Sequence, residues 1–510
     1  MNKQQIKEKA IQLGKKVLLP IEFVLSFLFV YSLYRFLFIN QIEARISAKH
    51  IILMTILGIL LIGVMIYHIK LKAKKIESII LTFLIPLGMC YFIFMIPSYG
   101  PDEIVHFRKA YELSEGIFVT SKVEKTKVPR DLTTKMRPHV NTYQELQEML
   151  YTPTDYQDKI EVSNSANIYP FVPYIFSALG FLLARMLNLN IIIGCFLAQM
   201  FNFIAFLVAV YYAIKLIPFG KLMIAAVCFM PMFLQQAISG SSDCMLNCIS
   251  MVFIAFCLHL VAKKEKVTKK EGITLVVLSA LIALNKYAYL PIVGLSLLLL
   301  FTKNMTKKQK AIIVSTALIT SIVIAVGYYI FSSTYPSGHG KYVEENQVNA
   351  SEQIKEIIHH PGNYVKTLFT TFGQQGENYI YQAIGSSLSW FCIPVPFISI
   401  IAYLFVMIGA CFVEKHEIAL SRNQKLYCLA ICLGVIVLVA TGMYLTWTTV
   451  GKPIIEGIQG RYFIPIIFLL GLCLCQKDNY LKIKNSEIKL PLLFCLLNLP
   501  ALCAIYEFFS

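Results

Sequence analysis

Charge is scarce in this sequence. Only 15% of the residues are charged while 57% are hydrophobic, and the mean hydropathy is +0.65. This composition excludes a soluble domain, in which about a quarter of the residues carry charge. Acidic residues are the scarcer sign, with 29 Asp and Glu against 46 Lys and Arg, for a net charge of +17. Such an excess suggests nucleic acid, but its placement argues against that partner. Lys70, Lys72, Lys74 and Lys75, then Lys263, Lys264, Lys266, Lys269 and Lys270, then Lys303, Lys307, Lys308 and Lys310 fall in short connections between apolar runs. Basic short loops mark the cytoplasmic side of a membrane protein. Neither of the two long polar stretches contains cysteine. Most of the 14 cysteines, such as Cys428, Cys432, Cys473 and Cys475, lie inside apolar runs, so no disulfide framework or zinc spacing is present. Internal repeats and low-complexity tracts are also lacking.

What the chain has instead is apolar runs near 20 residues long, the signature of an all-α polytopic membrane protein. They fall at 17–39, 51–69, 79–96, 169–186, 191–217, 222–238, 245–261, 273–301, 312–331, 388–413, 426–445, 463–475 and 490–508. The length rule gives about eleven to thirteen spans. The first run follows Lys3, Lys7, Lys9, Lys15 and Lys16, is too long for a signal core and has no small-residue cleavage site behind it. It reads as an uncleaved span with a cytoplasmic N-terminus. Loops 97–167 and 332–385 then fall outside, the second carrying Gly338, His339 and Gly340 and, further on, FGQQGE at 372–377. Residues 143–151 could form a short helix within the first. Four full crossings cannot join an outer residue 167 to an inner Lys263. One segment must therefore be exceptional, and 222–238, with Pro231, Gln235 and Gln236, is the expected one. Run 273–301 is interrupted by Asn285, Lys286, Tyr287 and Tyr289 and has basic flanks. Two half-spans that dip in and return inside satisfy both features and put Lys286 in a wet cavity, with a snorkelling cation as the plain alternative.

The rest of the chain is organised around 97–116, PSYGPDEIVHFRKAYELSEG, which begins where the third run ends. Acidic pairs cost free energy near hydrocarbon. Pro101 suits the first turn of a helix, on which Asp102 and His106 share one face and Glu103 and Phe107 another. An amphipathic surface helix is the plain alternative. Two further outward stretches carry unusual polar residues. SGSSDCMLN at 239–247 reads as the start of an apolar helix with Asp243 as its cap. WTTVGKPIIEGIQGRYFIP at 447–465 has three glycines together with Lys452, Glu456, Gln459 and Arg461 at the mouth of a span. Arg461 is either a snorkelling cation or a phosphate ligand, since a guanidinium matches phosphate oxygens with paired hydrogen bonds. Acids from two loops facing a cation from a third suit transfer of a sugar from a lipid phosphate to a hydroxyl. Phosphate leaves readily, one carboxylate takes the acceptor proton, cations stabilise the departing charge, and the anomeric centre inverts.

These three stretches, with YPFVPYIFSALG at 169–180 and ALNKYAYLP at 283–291, resemble the DUF2142 family of bacterial membrane proteins. The family in turn resembles the GT-C glycosyltransferases, which use polyprenyl-phosphate sugars at the outer membrane face. The resemblance implies a GT-C-like helical bundle over 79–510, behind an added N-terminal hairpin at 1–78. It implies an extracytoplasmic site for a polyprenyl-phosphate (undecaprenyl-phosphate) sugar donor and a cell-surface glycan, teichoic acid or glycolipid acceptor. Carried over, Asp102 is the base, and Glu103 supports it or binds a substrate. The substrate-binding set is Asp243, Arg461, Lys286, His106, Arg108, Tyr169, Asn247, Gln459, Tyr462, Lys452 and Glu456. Three spans before the acidic loop, where many GT-C enzymes have one, are a departure from that pattern.

Glu103 and His106 also have the spacing of a Glu-x-x-His metal pair. No further ligand stands at a suitable spacing, which argues against a Mg or Mn centre. Arg108 is expected to pair with a loop carboxylate. Two other functions share the polar stretches. One is a transporter or flippase of lipid-linked glycans, for which acids buried mid-span are expected rather than acids at span mouths. The other is a polymerase or ligase of lipid-linked oligosaccharides, which differs only in its donor.

Overall fold

A computed structural model of the chain describes residues 3–43, 48–71, 75–119, 125–136, 142–332, 343 and 345–510. Gly338, His339 and Gly340 lie outside the described residues, as do Lys72 and Lys74. Helix dominates, as the apolar runs require, because a bilayer leaves no other partner for backbone polar groups. The described strands form two short antiparallel pairs. β1 (Thr126–Pro129) meets β2 (Lys159–Val162), and β3 (Ser387–Leu388) meets β4 (Ile393–Pro394). Among the described residues eight helices are long and apolar enough to cross a membrane, and shorter apolar helices cover Val172–Met186, Tyr287–Phe301, Phe397–Ala410 and Gly460–Leu474. The chain is an all-α, multi-pass membrane protein.

Helices α1 (Lys3–Glu43) and α2 (Ala48–Leu71) form a hairpin against α3 (Ile76–Phe94). The three are joined by polar side chains buried among apolar ones. His68 Nδ1 lies 2.8 Å from both Glu22 Oε2 and Thr82 Oγ1. From α3 the chain enters loop 97–167, which holds α4 (Glu103–Ser114), α5 (Arg130–Thr134) and α6 (Tyr143–Leu150). The last begins with a Thr142–Glu145 capping box, at the position expected. We call this end of the bundle the loop end and the opposite one, with Lys263 and Lys303, the basic end.

Helix α7 (Ile175–Met186) is the segment that does not cross. It lies along α4: Tyr174, just before it, bonds His106, and Arg185 in its last turn donates to Ser114 O. Both ends of α7 therefore stay at the loop end. Crossing begins with α8 (Ile191–Leu216) and returns through α9 (Lys221–Cys228) and α10 (Pro231–Ala237). Segment 222–238, the expected exception, is instead a crossing in two pieces. Leu222 N at its start donates to Glu414 at the basic end, and Gly240 N just beyond it donates to Glu103. The break before Pro231 is supplied with partners. Asn498 Nδ2 donates to Phe229 O, Tyr91 donates to Asn498 Oδ1, and Tyr403 donates to Ala226 O. A broken helix survives at membrane depth when neighbours satisfy its freed groups in this way.

Helix α11 (Ser242–Ala262) leads back to the basic end. α12 (Lys269–Ala283) and the 3-10 helix Tyr287–Phe301 form the expected hairpin, and Asn304 ties its return to Leu260 O and Lys263 O. Its arms are longer than half-spans. Fifteen residues at 1.5 Å rise and fifteen at about 2.0 Å give roughly 22 and 30 Å. The apex thus reaches the first turn of α11. The remaining helices are α13 (Lys307–Ser332), α14 (Ala350–His359), α15 (Pro361–Ile384), α16 (Phe397–Ala410), α17 (Arg422–Thr446), α18 (Ile464–Leu474) and α19 (Ser486–Phe509). FGQQGE lies inside α15. Run 388–413 becomes helical only from Phe397, because Pro394 and Pro396 cannot continue a helix and Ser389 and Phe391 have positive φ in the β3–β4 turn.

Candidate functional site

The loop from α3 to α4 is fixed by Glu103. Its side chain is 1% exposed. Oε2 accepts from Ser98 N at 2.9 Å and Gly100 N at 3.1 Å, and Oε1 from Gly240 N at 2.6 Å and Gln199 Nε2 at 3.1 Å. Burial raises this carboxyl's pKa, and the four donors act in the opposite direction. Both oxygens are engaged, so Glu103 holds the loop to α8 and to the start of α11. Gly240 has to be glycine for this, since a Cβ there would stand 2.4 Å from the Phe107 ring.

Asp102 precedes Glu103 with φ +60°, a left-handed conformation that Asp and Asn tolerate better than most residues. Its carboxylate does not cap α4 and is 41% exposed, with Oδ2 3.6 Å from Arg461 Nη2. Asp243 is not the cap of α11 either. Ser241 caps that helix by accepting from Asp243 N at 3.2 Å, which leaves the Asp243 carboxylate free for other partners. Those partners are two cations. Lys286 Nζ lies 2.5 Å from Oδ1, and Arg461 Nη1 lies 3.5 Å from Oδ2.

Arg461 enters from the 3-10 turn Gly460–Phe463. The turn packs on α15 backbone to backbone, so closely that a Cβ on Gly460 would stand 2.3 Å from Tyr379 O. The guanidinium is 5% exposed and donates Nε to Gln459 Oε1 at 2.7 Å. The four charges alternate as Asp102, Arg461, Asp243 and Lys286, joining loop 97–102, the 460–463 turn, the start of α11 and the hairpin apex. Tyrosine rings flank the cations. Lys286 Nζ is 5.3 Å from the Tyr169 ring centre and 5.8 Å from that of Tyr462, whose ring also lies 5.3 Å from Arg461 Cζ.

His106 borders the cluster, its Nδ1 2.7 Å from Tyr174 Oη and its ring tilted against Tyr169. Burial, with Lys286 and Arg461 nearby, holds its pKa down at about 3, so the ring is neutral near pH 7. Asn247 lies one turn beyond Asp243 on the same face of α11, buried, with neither side-chain polar atom hydrogen-bonded. Lys452 and Glu456 pair with each other at 2.7 Å, half-exposed, and neither is joined to the four charges by an ion pair among the described residues. Arg108 is a correction: among the described residues no carboxylate meets its guanidinium, and Nε has no partner. No group of three or more His, Cys, Asp or Glu among the described residues could hold a metal ion.

Three contributors escape the sequence reading. Tyr174 positions His106, Tyr289 donates to the backbone Tyr462 O at 2.8 Å and fixes the main chain there, and Gln199 braces Glu103. The two tyrosines lie inside stretches already singled out, YPFVPYIFSALG and ALNKYAYLP, which was the available signal. Gln199, in the middle of an apolar run, had only its polarity to mark it.

An ion-paired cluster of this kind can bind an anion at Arg461 and Lys286 and present the open Asp102 carboxylate beside it. No curated protein and no solved structure matches the chain. Residues 85–470, more than half of the chain and all four elements of the cluster, match the family described as predicted membrane proteins DUF2142. The chain therefore belongs to the DUF2142 family.

Proposed function

We propose that the chain is a glycosyltransferase that moves a sugar from a polyprenyl-phosphate donor to a hydroxyl of a surface glycan, teichoic acid or glycolipid, with the loop end facing out of the cell. The observation that carries this reading is the half-open Asp102 carboxylate 3.6 Å from the buried Arg461 guanidinium. Asp102 is the most exposed of the four charged side chains, at 41%, so it is the group with room for a substrate hydroxyl. In the reaction its carboxylate takes the acceptor proton as the acceptor oxygen bonds to the anomeric carbon from the face opposite the leaving group. The bond from that carbon to the phosphate oxygen breaks, and its electrons go to the lipid phosphate. Arg461 and Lys286 stabilise that charge, Asp243 holds both cations in place, and the tyrosines flank the sugar.

The test uses the purified full chain, a polyprenyl-phosphate sugar and a glycan acceptor. Asp102→Asn is expected to retain donor binding and to lose about 100- to 10,000-fold in transfer. Unchanged transfer removes Asp102 as the base. Movement of the donor across sealed vesicles with no new glycosidic bond replaces the reading with transport.

A further inference from the structure

A cavity lies outside the charged cluster. It has a volume of about 450 Å³, is half open, and is lined by α15, α16, α17, α18 and the 460–463 turn, with Met223 of α9 at its base. Phe372, Tyr379 and Phe463 line it toward the loop end, and Ile467, Leu470 and Leu474 follow along α18 toward the basic end. Its lining side chains are apolar almost throughout. Its volume lies within the roughly 300–1,000 Å³ of ligand clefts. The flanking helix α18 has 11 residues, so the slot runs about 16 Å, or roughly half of a 30 Å hydrocarbon core.

We propose that this slot holds the isoprenoid chain of a single-chain lipid phosphate whose head lies at Arg461 and Lys286. The inference rests on the transfer reading for the identity of the head and on the slot for the tail. Two observations select the occupant. A two-chain phospholipid would leave one chain outside a single narrow slot. Phe463 at the slot's loop end stands two residues from Arg461 in one 3-10 turn, so a molecule filling the slot has its polar end beside the cations.

Gly376 supplies the test. It lines the slot, and a Cβ there meets nothing within 4 Å. A Cβ is thus accommodated at this slot-lining position, and in a helix any larger residue but proline replaces one of poorer propensity. The probe is a diazirine-bearing geranylgeranyl phosphate, which carries no sugar, added to the full chain in nanodiscs. Crosslinks are expected on Phe372, Tyr379 and the α18 peptide. Unlabelled geranylgeranyl phosphate should compete, and phosphatidic acid should not. Gly376→Phe should reduce crosslinking about tenfold, equivalent to about 1.4 kcal/mol, with the thermal midpoint unchanged. The smaller Gly376→Ala should crosslink as the parent does. Full crosslinking in Gly376→Phe, equal competition by phosphatidic acid, or crosslinks confined to the lipid-facing helices α2 and α13 would overturn the proposal. Crosslinking in the slot without transfer from a sugar-loaded donor would retain the tail site and remove the transferase. Transfer without crosslinking would do the reverse.

Discussion

Lys286 Nζ stands 2.5 Å from Asp243 Oδ1 across 43 positions of sequence, where the apex of the α12 hairpin meets the start of α11. A buried ion pair is weak evidence for stability, but removing one partner strands the other charge, at a cost of about 3–5 kcal/mol. Lys286→Met and Asp243→Asn should therefore each lower the thermal midpoint of the purified chain, and the double variant should recover much of the loss. Transfer should be lost in all three, because each variant removes either Lys286 or the carboxylate that positions Lys286 and Arg461. Additive losses in the double-mutant cycle would show that the two residues are not coupled.

Asp102 is held at φ +60° with a carboxylate that serves no cap. Its side chain and its backbone therefore make separable demands. Asn and Gly suit the left-handed conformation, whereas a β-branched residue opposes it by roughly 1–2 kcal/mol. Asp102→Asn and Asp102→Gly should keep the parental melting behaviour and lose transfer. Asp102→Val should lose both. Equal stability of the three variants would show that the left-handed turn is not maintained.

Glu103 presents the opposite case, a carboxylate with four donors and almost no exposure. Glu103→Gln turns one acceptor into a donor that faces another donor. Leaving a buried donor unmatched costs about 1–3 kcal/mol. The variant should melt earlier, and hydrogen exchange should quicken at Gly100 and Gly240 before it does elsewhere. Parental exchange at both amides would remove Glu103 as the brace of the loop.

Much of this arrangement is legible in the sequence, and the reasons the rest is not are physical. Helical spans follow from apolar runs because hydrocarbon leaves the backbone no alternative. Charged residues at the mouths of those runs are conspicuous, so Asp102, Asp243, Lys286 and Arg461 stand out before any contact is known. Hydropathy measures how apolar a segment is and not where it goes. Runs 169–186 and 222–238 therefore look alike, although α7 lies along α4 and α9–α10 cross. Ser241 and Asp243 are both good capping residues, and only backbone geometry shows that Ser241 caps and Asp243 is released for Lys286 and Arg461. Backbone amides have no signature in a sequence, so three of the four donors to Glu103 could not be anticipated. Arg108 fails for a related reason: charge predicts a partner somewhere and does not place one within reach.

At the basic end Glu414 accepts from Leu222 N at 2.8 Å and secures the start of α9. Burial is the largest cause that pushes its carboxyl from the usual 4.5 up to about 7, with Glu487 adding to the rise and Lys221 opposing it. The folded chain thus keeps a proton that the unfolded chain releases near pH 4.5. The contribution of this group to stability is complete below about pH 4.5 and is lost as the pH climbs through about 7. Glu414→Gln keeps the acceptor and removes the titration. Its midpoint should vary less than the parent's between about pH 5 and 8 at one scan rate. Identical pH dependence in parent and variant would place the titration elsewhere.

The buried Glu22–His68–Thr82 contact lies before residue 85, where the family match begins. It joins α1, α2 and α3, and the second Glu22 oxygen has no partner. Interhelical hydrogen bonds in membranes average about 0.6 kcal/mol and reach about 1.7, whereas an isolated buried charge costs more. Glu22→Ala should therefore destabilise by about 1–3 kcal/mol, and His68→Phe combined with Glu22→Leu should restore most of it, since apolar neighbours already surround the site. The four charged residues of the candidate site all lie within 85–470, so transfer per folded molecule should not change in any of these variants. A loss of specific activity without a fall in midpoint would mean that the hairpin acts in the reaction and does more than brace α3, the helix that delivers Asp102 to Arg461.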